Sequence, residues 1–153
     1  MENVPQQVRP HPYQPGWFDL FSVIAGGMLE NAGEQDSYAF LQQMGEQLAQ
    51  RYPLAEAQTV HDLEVQINLA LARFNWGFVD VQPHDNALVL THMAFPAGDE
   101  TLDAGQWRGL LGAVLTGLYS AWLLAQGGSE QVALVCDTTA EDAILLFRYQ
   151  NGQ

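Results

Sequence analysis

Histidine ligates metals and moves protons near neutral pH, so His11, His61, His84 and His92 are the first residues of this chain to weigh for chemistry. No two of them share the helical or short-loop spacing that metalloenzymes use. Each is therefore read as a structural or solvated histidine. Asp62 and Glu64 look like a carboxylate pair, but two residues apart on a helix they point in different directions. Capping and solvation suit them better than joint acid–base work. Gly105-Gln106-Trp107-Arg108-Gly109 opens a helix with neither a lysine nor a preceding strand, so it is no phosphate loop. There is no nucleophile elbow and no paired-histidine motif. Cys136, the single cysteine, has no companion for a disulfide or a thiolate metal site and reads as a small buried hydrophobe. These patterns predict no catalytic residue, no metal and no cofactor.

Four tryptophans are many for 153 residues, and flat aromatic faces stack on the C–H faces of sugars without needing ligand charge. Trp107 and Trp122 fall on core stripes, and Trp76 reads as a plug at a helix-to-strand corner. Trp17 and Tyr13, beside a proline-rich stretch, are the better candidates for a wet surface.

Eighteen acidic residues against five basic ones give a formal net charge of −13, which repels a phosphate backbone or an anionic membrane surface. Nucleic acid is therefore not an expected partner. The first residues hold no basic stretch followed by an apolar one, which predicts no signal peptide and a cytoplasmic location. The apolar run Leu110 to Leu124 is shorter than the roughly 20 residues of a membrane span, so a buried helix is expected rather than membrane insertion.

The elements that would position these groups follow from periodicity. Residues 1–16, with Pro5, Pro10, Pro12 and Pro15, form an extended arm, either a disordered tail or a segment that docks on another subunit or lines a binding channel. Residues 17–153 form one α+β domain. Its first helix begins at Trp17 and stops at Gly33, and Asp36 caps a second that ends before Pro53. The third carries the stripe Val60, Leu63, Ile67, Ala70, Leu71 and Phe74, starts on a Thr59–Asp62 capping pattern and runs through Asn75-Trp76-Gly77 into a strand. Phe78 to Gln82 and Ala87 to Phe95 form a hairpin about Pro83–Asn86, a long buried helix spans Gln106 to Gln126, and Gln131 to Asp137 with Ala143 to Tyr149 form a second hairpin. Strands grouped in pairs predict an antiparallel or mixed sheet. Along the long helix, Gly105, Gly109, Ala113, Gly117 and Ala121 recur at steps of four. Such a row lets a neighbour approach closely, either the sheet or another subunit.

The run QTVHDLEVQINLALARFNWG, Gln58 to Gly77, closely resembles the corresponding stretch of the bacterial cellulose synthase D-subunit family, the cellulose synthase operon D proteins. A second match is GLLGAVLTGLYSAWL, Gly109 to Leu123, which carries a GLY-x-x-W element at Gly117, Leu118, Tyr119 and Trp122. Asn75, Trp76, Gly77, Gly117, Tyr119 and Trp122 are thus the motif residues, read as structural. The resemblance implies a non-catalytic accessory subunit of cellulose synthase: a ring-like octamer built from dimers, with dihedral symmetry, that helps nascent β-1,4-glucan chains crystallise. It also implies a proline-rich scaffold partner, and N-terminal segments lining passageways for glucan. His11, Tyr13, Gln14 and Trp17 are the positions here that would face such a chain.

The order of elements also looks like the small-ligand-binding domains related to 4-vinyl reductase and to vesicle-tethering subunits. That likeness supplies a second functional reading, a sensor with an apolar pocket between the long helix and the sheet.

Overall fold

Glycine at position 33 decides the shape of the first half of the chain. In the computed structural model, which describes residues 16–95, 104–128, 132–137 and 144–150, helix α1 covers Trp17–Arg51 but is broken at Gly33, where φ is 83° and ψ 171°. Phe21, before the break, meets Trp107 edge to face at 5.9 Å, and Tyr38, after it, lies against Gly109. A straight helix would hold Phe21 and Tyr38 about 25 Å apart along its axis, whereas Trp107 and Gly109 are near neighbours. The two arms of α1 therefore fold around the start of one other helix. The expected stop at Gly33 and restart near Asp36 take the form of this break within a single element.

Helix α2, Val60–Phe74, starts where Thr59 Oγ1 accepts the Asp62 N–H at 2.9 Å. The Asp62 carboxylate accepts from Gln58 N–H at 3.0 Å, one residue earlier than a capping box would place it. Its stripe of Leu63, Ile67, Ala70 and Leu71 is buried. Asn75, left-handed at φ 60°, closes the helix, and Gly77 at φ 91° turns the chain into strand β1, Phe78–His84. A Cβ at Gly77 would overlap the Met93 and Ala94 carbonyls, so only glycine fits this corner.

Strand β2, Ala87–Met93, pairs antiparallel with β1 through the two-residue turn Asp85-Asn86, tighter than the expected four-residue turn because Pro83 and His84 stay in register. Helix α3, Ala104–Ala125, follows, and then β3, Ala133–Asp137, and β4, Ile144–Gln150. Described residues thus comprise three helices and one four-stranded antiparallel sheet in the order β1-β2-β4-β3. The two hairpins meet through β2 and β4, with Leu90 opposite Phe147 and His92 opposite Leu145.

Helix α3 is long and apolar enough to cross a membrane by length and composition, yet most of it is buried within the fold. Leu110, Leu115, Leu118 and Tyr119 are fully buried, with sheet residues Leu90, Leu145 and Phe147 in the same core. A Cβ at Gly117 would overlap the Gln42 carbonyl, and one at Gly109 the Tyr38 ring. These members of the small-residue row therefore face α1. The sheet is approached by Gly112 instead, where a Cβ would lie 3.2 Å from Cys136 Sγ. Sequence periodicity exposes such a row but does not say which neighbour uses it.

Candidate functional site

His92 is the one titratable side chain among the described residues that the fold draws fully into its core together with a second, Tyr119. Strand alternation puts it there: Leu88, Leu90 and His92 share a face, and that face packs on α3. Its Nε2–H donates to the Trp76 carbonyl at 2.6 Å, and a carbonyl only accepts, so Nε2 carries the proton. Nδ1 then accepts from the Tyr119 hydroxyl. One polar chain thus links the Asn75-Trp76-Gly77 corner, the central strand and the long helix.

Burial, opposed more weakly by the hydrogen bond to Trp76, lowers the His92 pKa from the ordinary 6.5 to about 4. Burial also raises the Tyr119 hydroxyl well above its usual value. Both are therefore neutral at pH 7. The pair is enclosed by Phe147, 5.2 Å from the Tyr119 ring, and by Trp122 at 6.3 Å. A reacting substrate would have to displace core side chains to reach it, so the arrangement suits holding layers together.

The motif residues converge around this chain of bonds. Trp76 stacks edge to face on Phe74 at 5.1 Å, Phe74 on Tyr52 at 4.9 Å, and Arg73 lies 5.3 Å over the Tyr52 ring. Trp122 Nε1–H donates to the Tyr52 carbonyl at 2.9 Å. Gln126 holds the next residues, accepting from Ala57 N–H and donating to the Ala55 carbonyl, each at 2.9 Å. Trp122, Gln126, Pro53 and Leu54 border a cavity of about 680 Å³ between the end of α1 and the end of α3. Between α3 and the sheet, where a ligand pocket was the alternative expectation, Tyr119, Leu145 and Phe147 fill the centre of the layer, and a cavity of about 660 Å³ lies toward its edge, bordered by Gly109, Gly112 and Thr116 of α3 and by Leu134 and Cys136 of β3. Gly117 stands apart from this group, on the α1 side.

Of the expected glucan-facing residues, Trp17 is 73% exposed at the start of α1, while His11, Tyr13 and Gln14 lie outside the described residues. His61 and His84 are exposed. Among the described residues no group of three or more His, Cys, Asp or Glu could hold a metal ion. Cys136 lies beside Gly112, and burial pushes its thiol up to about 11, the Arg108 charge lowering it less and Asp137 adding to the rise.

The sequence profile of the cellulose synthase D-subunit family matches residues 10–150. The chain belongs to that family. Cellulose synthase operon protein D of Komagataeibacter xylinus is 32% identical over 130 residues, covering 82% of this chain and 81% of that protein. The protein of the same name from Komagataeibacter sucrofermentans matches at the same identity and coverage. In this member of the D-subunit family, the Trp76 corner and the GLY-x-x-W element meet through His92. Periodicity alone left that residue among four unremarkable histidines. Its signal was the alternation Leu88, Leu90, His92, which places a polar ring on a core-facing row.

Proposed function

We propose that this chain is a non-catalytic accessory subunit of the cellulose synthase complex, acting on the cytoplasmic side as a ring-like octamer built from dimers that organises export and crystallisation of nascent β-1,4-glucan. Kinship to the cellulose synthase D-subunit family over residues 10–150 carries the reading. The chemistry agrees with it. The His92–Tyr119 pair is sealed inside the core, as a scaffold requires. A neutral glucan is indifferent to a net charge of −13, so an acidic passage can bind sugars weakly enough for the polymer to move. Closed dihedral symmetry supplies several equivalent passages from one short chain.

Light scattering behind a sizing column tests the assembly: an eightfold mass is expected, and a monomer or simple dimer at working concentration overturns it. In cellulose-producing cells whose own copy of this protein has been deleted, a chain without residues 1–15 is expected to fold and to yield cellulose of reduced crystalline order. Cellulose of normal order would remove the arm from the mechanism.

A further inference from the structure

The two edges of the sheet are treated differently. At β1, Asn68 of α2 bonds both backbone groups of Val79, donating to its carbonyl at 2.9 Å and accepting its N–H at 2.7 Å, and Glu64 accepts the Val81 N–H at 2.8 Å. Backbone groups alternate in direction along an antiparallel strand, so Val79, Val81 and Pro83 face outward. Pro83 has no N–H to leave open.

Carrying the same alternation through the registers of β2 and β4 makes Val135–Arg148 a hydrogen-bonded pair, which turns the backbone groups of Leu134 and Cys136 away from the sheet. Among the described residues nothing bonds to them. Val135 between them is 60% exposed, β3 holds no lysine or proline, and among the described residues α3 packs against the strand's face without bonding to its outer edge. Beside this edge runs a groove of about 660 Å³ with a floor of small α3 residues, Gly105, Gly109, Gly112 and Ala113.

We propose that β3 pairs antiparallel with β3 of a second copy about a two-fold axis at Val135, joining two sheets into one of eight strands. Leu134 then exchanges both backbone bonds with Cys136 of the partner subunit, and Cys136 with Leu134 of the partner subunit. Val135 meets its own counterpart, and Asp137 lies opposite the partner's Ala133. A chain with 18 acidic residues must bring copies together where carboxylates do not oppose one another, and this register does so. This interface rests on the oligomeric reading above and names the surface that makes its dimer.

The test compares the full chain with Val135→Lys and Val135→Glu. Each variant alone is expected to lose one interface, cutting the light-scattering mass at least two-fold with an unchanged circular dichroism spectrum, and mixing the two is expected to restore it. Directly opposed strand residues lie about 4.5 Å apart at Cα, within disulfide range. Val135→Cys in a Cys136→Ser background should therefore form an intersubunit disulfide on mild oxidation, and Ala133→Cys in that background should not. An oligomer whose mass survives Val135→Lys, and which does not cross-link through position 135, overturns this interface alone. A monomeric wild type overturns the oligomeric reading and the interface together. A wild type whose Leu134 and Cys136 amides become protected only on adding an unrelated partner assigns the edge to that partner and overturns the second-copy occupant.

Discussion

Strand β1 and strand β3 end the same sheet, yet among the described residues only β1 is closed by the chain's own side chains. Asn68 imitates a neighbouring strand by giving Val79 one donor and one acceptor, and Glu64 adds an acceptor for Val81. Such satisfaction matters because Val79 and Val81 are buried, and an unpaired buried backbone group costs about 1–3 kcal/mol. At β3, α3 packs on the face of the strand and no side chain among the described residues bonds to its outer edge, and its central side chain is exposed. The contrast teaches that α2 serves the sheet twice, through its apolar stripe and through the polar residues beside it. An edge left open in the same molecule is then a feature of the surface that an assembly can use.

The most damaging way to erase the contrast is to detach α2 from β1 at the corner. Gly77→Ala places a Cβ into the Met93 and Ala94 carbonyls at a φ of 91°. Its expected cost is about 3 kcal/mol or more, read as the urea midpoint. A midpoint within error of wild type would show that the corner relaxes freely.

Acid gives a comparable loss through the His92 link. The folded state holds His92 neutral until about pH 4, whereas the unfolded chain protonates it near 6.5. Between those values the unfolded state binds more protons, so stability is complete above pH 6.5 and falls as pH drops toward 4. The shift corresponds to about 3 kcal/mol. Nuclear magnetic resonance titration of the His92 ring checks it directly, and an ordinary midpoint near 6.5 would contradict the buried geometry.

Removing the strand mimic itself ranks next. Asn68→Ala leaves both Val79 groups without their partner, with an expected cost of about 2 kcal/mol. Faster hydrogen exchange at Val79 than at Leu90 would localise the damage to the edge. Equal exchange at both amides would mean that water or a shifted α2 repairs it.

Much of this was legible beforehand. The stripe from Val60 to Phe74, the Thr59 cap and the strand-forming runs all depend on local periods, and the helices and hairpins lie close to where those periods put them. The partners were not legible, because partnership is non-local. Gly109 and Gly117 advertise close approach without naming Tyr38 and Gln42. Glu64 reads as a capping or solvated residue and Asn68 carries no sign of its own, since no helical period records that a strand edge lies alongside. His92 carried a readable sign, a polar ring on a core row, but its bonds to Trp76 and Tyr119 needed the packing of three elements.

The finest question is whether β1 is closed by charge or by an acceptor atom. Glu64 sits 3.8 Å from His61, an exposed partner that screening leaves nearly without influence, so its bond to Val81 should dominate. Glu64→Gln keeps an oxygen for that N–H while losing the negative charge. The expected loss is about 1 kcal/mol or less, the difference between a charged and a neutral acceptor. Glu64→Leu keeps the helix but offers no acceptor, and its cost should be larger, with Val81 exchange accelerated only in that variant. If the two substitutions cost the same, the carboxylate closes the edge through its field, and the resemblance of α2 to a neighbouring strand would end at Asn68.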